Sequence, residues 1–167
     1  SFGTLGGRSL NFSKMEDRKY AVKWMIDEQL ARFEKAGYKH LELVGFYWLE
    51  EYIAAGDDAE ILKYAADYLH SKGLKFIWIP WYKANGYQNW QSYGFDVACM
   101  QPNLMWGGYN DPVRVTTSVS LSEKYGLSME MECDGRVYTD EYFARYLNYL
   151  DGGLNSSMMD AVKMYYQ

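Results

Sequence analysis

Tyr125-Gly126-Leu127-Ser128-Met129-Glu130-Met131-Glu132-Cys133-Asp134 is the run on which the fold turns. A glycine past a helical segment takes positive φ and redirects the chain; the residues after Gly126 then alternate sulfur-bearing and acidic side chains with the two-residue period of a strand. Alternation puts Met129, Met131 and Cys133 on one face and Glu130, Glu132 and Asp134 on the other. Such a strand belongs in the middle of a parallel sheet, its methionines under helices and its acids toward a barrel interior or mouth.

The same punctuation recurs at Ala36-Gly37-Tyr38, Lys72-Gly73-Leu74 and Tyr93-Gly94-Phe95. Helices are predicted over 18–36, 58–72 and 112–125, with Val22, Ile26, Leu30 and Phe33 sharing one face of the first and Ile61, Leu62, Ala65, Ala66 and Leu69 one face of the second. Asp57 with Glu60 reads as a capping arrangement, and Asp111-Pro112 as a cap followed by a first-turn proline. A fourth helix over 140–151 has Thr139 as its cap and Phe143, Tyr146, Leu147 and Leu150 inward. Strands are predicted over 41–48, 74–80, 96–101, 127–133 and 162–166, and the crossing through Gly86 to Tyr93 is abbreviated.

Parallel strands need crossovers, and right-handed ones put the helices outside a curved sheet, so the class is α/β. A closed eight-stranded barrel takes about 250 residues. With 167 residues and five strands, the reading is one domain over 1–167 forming a partial TIM-type (β/α) barrel, a fragment with strands missing ahead of Ser1 and beyond Gln167. A complete five-stranded open sheet is the competing arrangement. The exposed last strand invites association with the rest of a barrel or with another copy.

Composition sets the remaining bounds. The chain is 49% hydrophobic and 18% aromatic, with 17 Tyr, 7 Phe, 6 Trp and only 3 Pro, the makeup of a packed domain rather than a disordered one. No apolar stretch approaches the roughly 20 residues of a membrane helix, and no signal peptide opens the chain, although Ser1 is no initiator residue and a leader can have been removed. Lys and Arg total 17 against 22 Asp and Glu, a net charge of -5 that disfavours nucleic acid. Cys99 and Cys133 make no disulfide framework and read as buried thiols. Phosphate-gripping, zinc-helix and calcium-loop motifs are missing, so no cofactor or metal is expected. His40 and His70 lie away from the predicted mouth.

Candidate chemistry gathers at the strand ends, where barrel sites form. Glu132 is the leading acid; the competing readings are a solvated edge strand and a carboxylate held by a structural Lys or Arg. Glu50, in Phe46-Tyr47-Trp48-Leu49-Glu50-Glu51, is the proposed partner across the mouth, with Glu51 beside it and Glu42 left at the far end. Trp81, Tyr82 and Trp90 in the loop after the second strand, with Gln101 and Asn103 after the third, offer rings for sugar faces and amides for hydroxyls. Glu130 and Asp134 complete the binding set, and Lys83 is the loop's cation. Two carboxyls about 5 Å apart would make a retaining glycosidase, and about 6.5–9.5 Å an inverting one.

At Leu43 to Glu51, Phe76 to Trp81 with its loop, Asp96 to Asn103 and Leu127 to Asp134 the chain resembles the bacterial domain-of-unknown-function 4855 family, whose members look like glycoside-hydrolase barrels. The resemblance implies a secreted or envelope-associated protein whose partner is carbohydrate. Glycoside hydrolysis is the leading expectation and non-catalytic carbohydrate or surface binding the alternative.

Overall fold

The computed structural model describes residues 3–54, 56, 58–106 and 108–166; Asp57, Gly107 and Gln167 lie outside them, and with Asp57 the first of the expected caps. The chain opens with a hairpin of β1 (Gly3–Leu5) and β2 (Arg8–Leu10), ahead of every predicted element. Gly6 and Gly7 both have positive φ (55° and 78°), the two-residue turn that matches strand twist. Behind it comes α1 (Met15–Ala36), and the carboxylate of Asp17 in its first turn takes Arg8 and the Asn11 N–H, sewing hairpin to helix.

Five strands continue the chain: β3 (Gly45–Trp48), β4 (Lys75–Trp78), β5 (Val97–Met100), β6 (Ser128–Glu132) and β7 (Lys163–Tyr166). They pair in chain order, all parallel, in a sheet curled into a half-barrel and flanked by helices. Between them run α2 (Asp58–His70), the 3-10 segment Tyr87–Tyr93, α3 (Val113–Tyr125) and α4 (Asp140–Leu154). The abbreviated crossing is therefore a short helical segment. All four punctuating glycines, Gly37, Gly73, Gly94 and Gly126, adopt positive φ. Pro112 takes the cap position of α3 rather than its first turn, and Asp111 ahead of it accepts from the Val113 N–H at 3.0 Å. Thr139 caps α4 with its backbone only; its hydroxyl donates to Arg136 O instead.

Alternation sorts the sheet into two faces. Phe46, Trp48, Phe76, Trp78, Ala98 and Met100 point outward to meet Ile26 and the predicted α2 face of Ile61, Leu62, Ala65, Ala66 and Leu69. Met129 packs outward against Val115, Val119 and Tyr149. Register carries Tyr47, Ile77 and Val97 across the concave face, then Glu130 beside Met164 and Glu132 beside Tyr166. At the amino-terminal rim Asp96 accepts from the Phe76 N–H (2.8 Å), Lys75 (3.0 Å) and His70, a pin on the side opposite the acids. Burial works against the Asp96 charge, yet these partners hold its carboxyl below the usual range.

In α4 the structure departs from the expected face. Phe143 and Leu147 are exposed, whereas Arg145 and Tyr149 are buried. Arg145 enters because its guanidinium bonds Leu104 O (3.1 Å) and Tyr109 O (3.2 Å), and Tyr149 because its hydroxyl bonds the Glu132 carboxylate at the end of β6.

Gly94 marks the tightest helix-to-strand turn. Its φ is 90°, and a Cβ there would lie 2.4 Å from the Ala66 side chain of α2. Gly94→Ala is expected to destabilise by roughly 2–4 kcal/mol, strain and clash adding. Urea denaturation should show a lowered midpoint with unchanged slope.

Candidate functional site

Glu132 ends β6 fully buried and is met by three donors, two from the loop after β5 and one from α4. Oε1 accepts from Trp106 Nε1 (2.7 Å) and Asn103 Nδ2 (3.2 Å), and Oε2 accepts from the Tyr149 hydroxyl. That hydroxyl also accepts from the Leu104 N–H at 3.0 Å, so α4 and the loop after β5 meet on one carboxylate. Burial pushes the Glu132 carboxyl up, and the Tyr149, Trp106 and Asn103 donors pull against it.

Glu130, two residues earlier on the same face, is also buried, at 5% exposure, but among the described residues no group donates to it. Burial first, then the charges of Glu132 and Glu51, push its carboxyl to about 8. Both carboxyls are pushed up by burial, but only Glu132 has donors facing it among the described residues.

Glu130 faces a cleft of about 450 Å³ at the carboxyl ends of the strands, walled by Tyr47, Glu51, Gln101, Asn103, Trp106 and Tyr166. Tyr47 is pushed to about 12 by burial and by the charges of Glu51, Glu130 and Glu50. Gln101 donates to Ile79 O (3.0 Å) and accepts from Asn103 Nδ2 (2.8 Å), so the amides form a fixed chain leading to Glu132. Trp106 and Tyr166 meet edge to face at 5.4 Å.

The predicted set divides on this geometry. Glu130, Gln101 and Asn103 share the cleft, with Glu132 behind them. Glu50 does not join: it is exposed, outside the cleft lining, and contributes only its carbonyl, which accepts from Trp78 Nε1 at 2.8 Å. Glu51 is the acid of that strand end inside the cleft, because alternation from Tyr47 and Leu49 turns odd positions inward. Trp90 is corrected to a core residue, 6% exposed, its Nε1 donating to Tyr125 O (2.9 Å) on the helical side of the sheet. Asp134 is corrected as well: the chain leaves the strand before it, and its carboxylate grips Arg136 side chain and backbone, which lowers it. Arg136 in turn lies 5.3 Å from the Trp106 ring centre and donates to Met105 O (2.6 Å), so Asp134 acts on the cleft through Trp106. Trp81 stacks on Tyr52 at 5.1 Å on the outer rim, exposed, and the Tyr82 N–H donates to Asn103 Oδ1 at 2.9 Å. Trp106 and Tyr149 escape sequence reasoning; the first sits in an aromatic loop with nothing to single it out, the second in a helix whose partner strand no local pattern names.

Cys99 is buried, and that burial lifts its thiol to about 12, the condition of an inert core cysteine. Among the described residues no group of three His, Cys, Asp or Glu side chains is placed to hold a metal ion, and no helix is long and apolar enough to cross a membrane.

Fold and cleft together define a partial β/α-barrel protein with paired acids, amides and rings at the carboxyl ends of its strands. The chain belongs to the family described as Domain of unknown function (DUF4855), whose model matches residues 1–167. No curated protein and no solved structure matches it.

Proposed function

We propose that this chain forms part of a glycoside hydrolase acting on a polysaccharide or oligosaccharide, with Glu130 as the proton donor and Glu51 as the second carboxyl of the pair. The observation that carries the reading is Glu130: a buried carboxyl without a hydrogen-bond donor among the described residues, raised to about 8 and facing an open cleft. Such a group holds its proton at neutral pH and can give it to a leaving oxygen, the task of a glycosidase acid. Glu51 faces the same cleft and can attack carbon or activate water. Glu132 touches the cleft through Asn103 and Trp106 and serves as a positioning residue, its charge favouring the proton on Glu130. A secreted or envelope location and a bacterial source belong to the same proposal and rest on the family resemblance.

The test is product release from a panel of oligosaccharides by the full-length protein that carries this chain. Glu130→Gln is expected to lower kcat by roughly 10²–10⁴, with KM for substrates bearing an activated leaving group nearly unchanged and their kcat partly restored. Glu51→Gln should abolish turnover for both substrate types. Full activity in either variant overturns the pair.

The stacked Tyr52–Trp81 platform favours a second reading, carbohydrate binding without turnover. Glycan binding with no product from any substrate would select it.

A further inference from the structure

Beside the acid cleft, the loops after β4 and β5 meet the start of α3 in a pocket that the hydrolytic chemistry does not use. Arg114, the second residue of α3, is clasped between two rings, its guanidinium carbon 4.0 Å from the Tyr82 centroid and 4.3 Å from that of Tyr109. Nε donates to Pro102 O at 2.8 Å, which fixes the plane. Among the described residues neither terminal nitrogen of Arg114 meets an acceptor. A guanidinium held flat, with its outer edge free, is the arrangement that receives a carboxylate through two parallel hydrogen bonds.

The surroundings agree. The pocket is about 270 Å³ and walled further by Asn110 and Asp111. Asp111, its one acid, accepts from the Val113 N–H and so serves the helix start. Lys83, exposed and without an ion-pair partner among the described residues, places its ammonium 4.9 Å from the Tyr82 centroid. Two unpaired cations on one tyrosine are unexpected in a chain of net charge -5.

Backbone strain points to the same place. Lys83 (φ 57°) and Asn103 (φ 55°) are the non-glycine residues with positive φ among the described residues. Both bear on Tyr82, one by following it and the other by accepting its N–H. Sparsely populated conformations persist where the surroundings enforce them, and they collect at ligand sites. Asn103 joins the two regions, its Oδ1 on Tyr82 and its Nδ2 on Glu132.

We infer that the Tyr82–Arg114–Tyr109 pocket is a subsite for a uronic-acid unit, its carboxylate on the Arg114 edge and its ring against tyrosine, so that the substrate is an acidic glycan. The inference deepens the hydrolase proposal and rests on it for the glycan, while its test is a binding equilibrium that needs no turnover.

Calorimetric titration of full-length Glu130→Gln protein should compare polygalacturonate, alginate and glucuronan oligosaccharides, each with its carboxyl-reduced counterpart. At least one uronide is expected to bind ~10-fold or more tightly than its reduced form. Arg114→Gln should erase that preference, Arg114→Lys restore part of it, and Lys83→Gln, on an exposed side chain, weaken uronide binding alone. Raising salt should narrow the gap. Equal binding of reduced forms, no uronide binding, preference surviving Arg114→Gln, or selection of sulfated over carboxylated oligosaccharides each overturns the assignment. Cleavage of neutral glycans without such preference sinks the subsite and keeps the hydrolase; uronide preference without cleavage by wild type does the reverse.

Discussion

Thermal stability of the wild-type protein is expected to fall as pH rises from about 5 to about 8, and a large part of that fall should vanish in Glu130→Gln. The unfolded chain releases the Glu130 proton near the ordinary 4.5, whereas the folded chain keeps it until about 8. Below 4.5 both states hold the proton and the folded state carries no penalty. Between the two values only the folded state does, so each rise in pH favours unfolding; above about 8 the loss is complete. The shift corresponds to a difference on the order of 3–5 kcal/mol at the alkaline plateau. Glutamine keeps the size and neutrality of the protonated acid, so the variant should match wild type within about 1 kcal/mol at pH 5 and exceed it by several at pH 8.5. The lowered carboxyls, Asp17, Asp27, Asp96 and Asp134, act below this window. The raised Glu132 adds a slope of the same sign in both proteins. Melting curves at pH 5, 6.5 and 8.5 decide it: parallel pH dependences for the two proteins would show that Glu130 is not held protonated by the fold.

The same residue separates what local sequence could reveal from what it could not. The strands, the four glycine turns and the outward methionines came from period and punctuation, because burial on both faces of a parallel sheet leaves dense apolar runs. The inward acids of β6 came from alternation, and counting in the same parity from Tyr47 would have chosen Glu51 over Glu50. Asp134 kept the parity but not the strand, since the chain turns into the 3-10 segment Gly135–Tyr138 just past it. In α4 an apolar count selected Phe143 and Leu147 and passed over Arg145 and Tyr149, whose long side chains bury their bodies while their tips reach partners on other elements. Which of Glu130 and Glu132 stays unbonded is set by Trp106, Asn103 and Tyr149, residues 17 to 29 positions away. No spacing within β6 carries that information.

Glu132→Ala should therefore damage the fold far more than Glu130→Ala, although the two acids share a strand face. Removing Glu132 takes the acceptor from Trp106 Nε1 and the Tyr149 hydroxyl and leaves Asn103 Nδ2 with Gln101 alone. Buried donors stripped of partners, with the void left by the side chain, are expected to cost about 3–5 kcal/mol. For a chain of this size that is a fall in Tm of roughly 10 °C. Glu130→Ala strands no hydrogen bond, and at pH 8.5 the loss of packing is offset by release of the ionisation penalty, so its Tm there should lie within about 3 °C of wild type. Glu132→Gln should fall between, since one carbonyl oxygen can still serve Trp106 while the amide faces the Tyr149 hydroxyl, which can turn to accept from it. Equal melting temperatures for Glu132→Ala and wild type would mean that the three donors are not held by this carboxylate. Glu130 would then keep its proton through burial, the larger cause of its raised carboxyl, rather than through a neighbouring charge fixed by those donors.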